Sequence, residues 1–368
     1  MRKLKLRLVF AIAIILPLAG CQTPEPPLET TQTTPGPRTS SGVSSSEAPD
    51  EPSPEESLAP RVEAVVSSHE LATAAGVEIL AAGGSAADAS VAVAAVLSVV
   101  EPFYSSVLGG GTWALYYDAD GRAVTSMNGV GPVGSEATLS DYRPRAGIPG
   151  MHQAIVPGAW DGWMLWLEAY GELELGDVLA PAIAVAREGY PVSTEMSFWL
   201  TRQEDRIRNS PVMASIYLPD GDLLAPGETV YQTGMADTFE SLVAVYDDAV
   251  AEGHAAGIAA ARDYFYRGPI ADAIVSFSEE NAGYLTEQDF AEFSAELVEP
   301  ISIEYDELSV YQNPPNSQGI AMLEALNILE GFDFAGQSAG DAAVVHRQVE
   351  AIKLVVGPPL AAQLLCDS

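Results

Sequence analysis

The order of hydrophobic and polar positions predicts alternating helices and strands from residue 67 onward. Leu71, Ala74, Ala75 and Ile79 recur at helical spacing. Gly83-Gly84 predicts the stop, because glycine takes a left-handed cap without steric cost. Ser85 then predicts a helix start, with Asp88 three residues on to close a capping box. From Ala89 to Val100 no charge interrupts the apolar run, which marks a helix buried on every side. The run is too short to cross a bilayer. Glu101-Pro102 ends it. Gly109-Gly110-Gly111 leads to a strand over Thr112–Tyr117, which Asp118-Ala119-Asp120-Gly121 turns back into Arg122–Met127. Helices followed by a hairpin predict a layered α/β domain, one helix layer lying on a sheet.

Farther along, residues 142–150 are rich in Pro and Gly and predict a loop. Trp160, Trp163, Trp166, Leu167 and Tyr170 share one helix side, an aromatic stripe that reads as core. Another helix, starting near Leu179, is closed by Gly189. Helices are also predicted over Glu195–Arg208 and Asp237–Ala251, Tyr266-Arg267-Gly268 leads to Ile270–Glu279, and Thr286 with Asp289 caps a short helix. Ile301–Tyr305 and Leu308–Gln312 pair around Asp306-Glu307. Pro314-Pro315-Asn316-Ser317-Gln318-Gly319 opens a helix over Ile320–Leu329, and Ala342–Leu354 is a helix with Val345, Val349 and Ile352 inward.

Composition adds constraints. The 368 residues carry 51 acidic against 17 basic side chains, a formal net charge of −34. Nucleic acid is not an expected partner, because phosphate binding needs clustered cations. Arg2, Lys3, Lys5 and Arg7 precede the apolar run Leu8–Ala19, and Leu18-Ala19-Gly20-Cys21 resembles a bacterial lipobox. Residues 1–20 are thus expected to be a lipoprotein signal peptide, with Cys21 the lipidated residue. Residues 21–60 hold Pro, Ser, Thr and Glu with few large apolar side chains, a tether unable to bury a core. The expectation is an exported protein anchored to a membrane, facing the periplasm or the exterior. Cys21 and Cys366 give no disulfide framework.

The ordered set Ser68-His69, Gly83-Gly84-Ser85-Ala86-Ala87-Asp88-Ala89, Glu101-Pro102 and Gly109-Gly110-Gly111 resembles the γ-glutamyltranspeptidase family. So do Val156-Pro157-Gly158, the Pro-Pro-x-Ser-x-Gly run at Pro314–Gly319, and His346 with Glu350. The resemblance spans residues 61–354, the family's large subunit, and the tail 355–368 departs from it. It implies an N-terminal-nucleophile hydrolase with an αββα sandwich, incomplete where the small subunit would add strands. It also implies hydrolysis or transfer of γ-glutamyl or related amides, without a cofactor. The attacking threonine, whose own amine acts as base, opens the small subunit in that family and is absent from this chain. A truncated or frameshifted product, a split-gene subunit and a non-catalytic product all remain open.

One substrate position of the family falls inside the chain. An Arg that clamps the substrate carboxylate stands four residues before a proline, and aligning on Pro132 puts Asn128 there. Asn donates hydrogen bonds but brings no charge. Either Arg143 or Arg145 substitutes, or the acyl group differs from γ-glutamate. Three other readings stand beside this one: an ordinary Asn-Gly turn at Asn128, a surface lipoprotein that binds peptides or amino acids, and a serine hydrolase through Gly336-Gln337-Ser338-Ala339-Gly340. The last pattern needs a strand before it, and Phe332–Phe334 makes a poor one. The four histidines lie far apart, so no metal site is expected, and His69 reads as a helix-start residue.

Overall fold

A computed structural model describes residues 63–366, with side chains as far as Val356. Cys21 and the residues expected to form a signal peptide and a tether, 1–60, lie outside the described residues.

The first helices follow their caps. α1 (Glu70–Ala81) starts at His69, whose Nδ1 accepts from the Leu71 amide at 3.2 Å, and it stops before Gly83 at φ +93°. In α2 (Ala86–Val100) both halves of the expected box form, Asp88 reaching the Ser85 amide and Ser85 Oγ the Asp88 amide. Ser68 Oγ donates to Glu101 Oε2 at 2.7 Å, so one side chain ties the start of α1 to the end of α2.

β1 (Thr112–Asp118) and β2 (Ala123–Gly129) make the expected hairpin. A short helix, α3 (Leu139–Tyr142), leads into the residues read as loop, which contain a 3₁₀ turn over Arg143–Arg145. α4 (Ala159–Tyr170) buries its tryptophans, as the aromatic stripe predicts. α5 (Leu175–Glu188) starts earlier than expected and accommodates Pro181.

A two-stranded ribbon, β3 (Tyr190–Pro191) with β4 (Thr229–Val230), frames a helical excursion. The single helix expected over 195–208 breaks at Gln203 into α6 (Thr194–Arg202) and α7 (Glu204–Asn209), followed by α8 (Pro211–Tyr217). Next come α9 (Thr233–Ala249), α10 (His254–Tyr266), α11 (Pro269–Glu280) and α12 (Glu287–Glu292), the last with its expected capping box.

A short strand that no alternation signals, β5 (Glu296–Val298), completes the main sheet in the antiparallel order β1-β2-β5. β6 (Ile301–Tyr305) and β7 (Leu308–Gln312) form a second sheet with the register predicted around Asp306-Glu307. α13 (Gly319–Glu330) packs on that pair, and α14 (Ala342–Cys366) packs on α13. The inward stripe of α14 is Val344, Ala351 and Val355; Val345 and Val349 are exposed, contrary to expectation. The two stripes lie one residue apart on the helix, and contact with α13 selects between them.

α2 and α4 lie in the large core beneath the main sheet, while α13 and α14 form a smaller core over β6–β7. The strands fall into three sheets, β1-β2-β5, β3-β4 and β6-β7, and helices pack on them, a mixed helix-and-sheet architecture as expected. Among the described residues no helix is long and apolar enough to cross a membrane.

Candidate active site

Three glycines set the position of β2. A Cβ on Gly158 would lie 2.5 Å from the Gly129 carbonyl oxygen, and one on Gly162 would lie 2.8 Å from Met127 Sδ. The strand therefore rests directly on the first turn of α4. Gly110 O accepts from the Gly158 and Ala159 amides at 2.9 and 3.2 Å, so the triple-glycine loop caps that helix start with a carbonyl.

Asn128 sits in this clamped strand opposite Trp113 of β1 and Glu296 of β5. Directly opposed residues share a sheet face, so Trp113, Asn128 and Glu296 form one row across the outer face. The next rows bring Leu115 and Ser126, then Tyr117 and Val124, to the same side. The β7–α13 loop closes over one end of it. Asn316 Nδ2 donates to Asn128 Oδ1 at 2.7 Å, Trp113 Nε1 donates to Asn316 Oδ1 at 3.3 Å, and Ser126 Oγ donates to Asn313 Oδ1 at 2.7 Å. Ser317 Oγ donates back to Pro314 O at 2.9 Å and accepts from the Gly319 amide, which fixes the loop at the head of α13. The Pro-Pro-x-Ser-x-Gly run thus delivers its variable residue, Asn316, to Asn128.

β5 is held from below. Asp161 of α4 is 1% exposed, and its carboxylate accepts from Arg262 Nε and Nη2 at 2.5 and 2.9 Å and from the Ala295 amide at 2.6 Å. Ala295 immediately precedes Glu296, so this buried ion pair fixes where the third strand begins.

Of the residues proposed to replace a carboxylate-binding Arg, Arg145 is engaged elsewhere. It donates to Asp141 Oδ2 at 2.6 Å and to Ala282 O at 2.8 Å, and it contacts the Tyr284 hydroxyl. Hydrogen bonding from Tyr284, then the charge of Arg145, lowers the Asp141 pKa. Arg143 opens the same 3₁₀ turn.

Ser338 lies in the loop between α13 and α14 with no strand before it, and its Oγ accepts from the Gly340 amide. No histidine reaches it among the described residues, so the nucleophile-elbow reading fails. His69 caps α1, His152 Nε2 meets Arg145 O at 3.1 Å, and His254 Nδ1 meets Tyr246 Oη at 2.8 Å. Among the described residues no cluster of His, Cys, Asp or Glu has the geometry to hold a metal ion.

The cluster of Trp113, Ser126, Asn128, Asn313 and Asn316 offers neutral donors and acceptors beside the Glu296 carboxylate. Such a set can orient a polar group but contains no nucleophile with a base. Sequence reasoning reached Asn128 and the Pro-Pro motif separately. It missed Asn316, Trp113 and Glu296 as neighbours, because only the strand pairing brings them together.

Comparison with known proteins gives a consistent picture. The family model described as Gamma-glutamyltranspeptidase matches residues 72–360. The chain is 39% identical over 292 residues to the glutathione hydrolase-like YwrD proenzyme of Bacillus subtilis (strain 168), covering 78% of this chain and 53% of that protein. It is 33% identical over 304 residues to the acylase ACY 1 proenzyme of Pseudomonas sp. (strain SE83), covering 79% and 51%. The solved cephalosporin acylase from Bacillus halodurans superposes with a TM-score of 0.67 at 35% identity, over 78% of this chain and 52% of that one. The chain spans about half the length of the curated relatives it matches.

Proposed function

The chain belongs to the gamma-glutamyltranspeptidase family, and on that premise we propose that it is the large-subunit scaffold of an N-terminal-nucleophile enzyme that cleaves or transfers the acyl group of γ-glutamyl or related amides. In this reading the attacking threonine belongs to a companion segment; its free α-amine takes the hydroxyl proton as the acyl ester forms and passes it to the amine that leaves as the amide C–N bond breaks. Water or an amine acceptor then resolves the acyl-enzyme. This chain contributes the strand bearing Asn128 and the loop bearing Asn316, which orient the acyl group.

The observation that supports the reading most is the outer face of the main sheet. Trp113, Leu115 and Tyr117 alternate along β1 at 41%, 39% and 61% exposure, beside the amide cluster. An apolar strand face of this extent is what a second layer of strands would cover. A companion segment covering it would bring its first residue to the Asn128 row.

Asn128 also narrows the acyl group. A substrate carboxylate placed there would meet a neutral amide and the neighbouring Glu296 in place of a cation, so the preferred acyl group lacks a carboxylate at that position. Family membership weighs against the reading as a peptide-binding lipoprotein, and the loop geometry of Ser338 weighs against a serine hydrolase. Export and lipidation at Cys21 complete the proposal, resting on the basic, apolar and Leu-Ala-Gly-Cys order of residues 1–21.

The test is reconstitution. The chain purified alone is expected to show no turnover of γ-glutamyl-p-nitroanilide or of neutral acyl anilides. Mixing with a companion polypeptide headed by threonine should restore it, and Leu115→Arg should block that restoration. Steady turnover by this chain alone would overturn the assignment.

A further inference from the structure

Away from the main sheet, α6, α7 and α8 enclose a cavity of about 320 Å³ against the loop that follows α2. Its walls are rings and thioethers. Phe103 and Trp199 lie at a centroid separation of 6.0 Å and an interplanar angle of 24°, and Met196 and Met213 line the space with them. The volume falls at the lower end of small-molecule sites. Tyr104 Oη accepts from Trp199 Nε1 at 3.1 Å and donates to Glu195 Oε1 at 2.9 Å, so the outer aromatic wall is held in place by hydrogen bonds.

Two groups that line the cavity keep hydrogen-bonding capacity for a ligand. Tyr217 is 8% exposed and lines the cavity, yet its hydroxyl makes no hydrogen bond among the described residues. Burial pushes the Tyr217 pKa up to about 12, so the O–H keeps its proton at physiological pH.

The second group is Arg206. It gives one N–H to Gln203 Oε1 at 3.2 Å and forms no ion pair among the described residues. Arg208, by contrast, is paired with Glu204 at 2.7 Å. In a chain with 17 basic against 51 acidic residues, three arginines fall within residues 202–208. Arg206 is exposed and lines the cavity, so it brings a positive charge to the edge of an apolar space.

We propose that this cavity binds a small aromatic carboxylate, its ring between Phe103, Trp199 and the methionines and its carboxylate accepting from Tyr217 or Arg206. The site is separate from the Asn128 row and does not depend on the function proposed for it. A neutral arene would gain the apolar contacts but not the charge-assisted hydrogen bonds to Arg206 and Tyr217, so the charge provides the selectivity.

The experiment uses the full chain, with 2-naphthoate and the neutral isostere 2-naphthalenemethanol as probes in isothermal titration calorimetry. 2-Naphthoate is expected to bind with one-to-one stoichiometry, at least tenfold tighter than the alcohol. Arg206→Gln and Tyr217→Phe should each weaken the acid about fivefold or more and leave the alcohol unchanged. Met213→Trp, which fills the cavity, should abolish both. Far-UV circular dichroism and thermal midpoints of the variants exclude unfolding as the cause. No binding of 2-naphthoate at millimolar concentration, or binding that survives Met213→Trp, would overturn the proposal. So would equal weakening of acid and alcohol by Arg206→Gln.

Discussion

Replacing Arg262 with Met tests how the third strand of the main sheet is positioned. The Asp161 carboxylate is buried and accepts two N–H groups from Arg262 and one from the Ala295 amide. Met keeps the apolar stem of the side chain and removes both charged donors. The remaining carboxylate would be held by a single backbone amide, and an uncompensated buried charge costs about 3–5 kcal/mol. Asp161→Asn removes the charge from the other side and retains an acceptor for Ala295. Arg262 is 25% exposed and can turn to water, so this substitution should cost less, about 1–3 kcal/mol. In the double variant the Met no longer faces a charge, and its cost should fall below the sum of the singles by at least about 1 kcal/mol. Urea unfolding followed by tryptophan fluorescence measures all three, with a constant m-value confirming a comparable unfolded state. Hydrogen exchange at Leu297 should quicken in Arg262→Met, because Ala295 is the residue that leads into β5. A cost under about 1 kcal/mol, or strict additivity, would refute the reasoning.

Further outcomes follow from the same structure. Asn128→Arg puts a guanidinium between Asn316 and Glu296; with the catalytic segment restored, KM for γ-glutamyl amides should fall about tenfold with kcat little changed, as for a contact made in ground and transition states alike. An unchanged KM would sink the carboxylate assignment. Alkaline stability follows from buried phenols. Desolvation raises the pKa of Tyr217 to about 12 and raises those of Tyr190 and Tyr266 as well. The unfolded chain, with tyrosines near their ordinary value, binds fewer protons above pH 10. Stability should therefore be whole below pH 10 and fall between pH 10 and 12; Tyr217→Phe should remove about 2–3 kcal/mol of that fall, and identical pH profiles would refute it. Cys21→Ser should abolish incorporation of an alkyne-labelled fatty acid and move the protein from detergent to aqueous phase, whereas equal labelling would show that Cys21 is not the acylation site.

Local rules made much of this molecule legible before any fold was known. The Ser85–Asp88 and Thr286–Asp289 boxes, the stop at Gly83 and both β-hairpins depend on residues close in sequence, so their geometry is written where they stand. The tryptophan stripe of α4 was equally readable, because its spacing allows only one side to be apolar. Family motifs were legible for a related reason: at Gly110 and Gly158 a Cβ would meet a backbone carbonyl oxygen at 2.6 and 2.5 Å, so no larger residue fits.

What the tertiary structure decided depends on residues distant in sequence. β5 is three residues long and has no alternation to announce it; it exists because Asp161, from a helix 134 positions earlier, captures the Ala295 amide. The inward face of α14 went to Val344 and Ala351 because α13 approaches from that side. Asn128 meets Asn316 across 188 positions, and Phe103 and Tyr217 come to line one cavity only when three short helices close around it. Capping and periodicity act over a few residues and can be read from them. Strand pairing, ion-pair placement and cavities are products of chain segments brought together by burial, and only the folded chain specifies them.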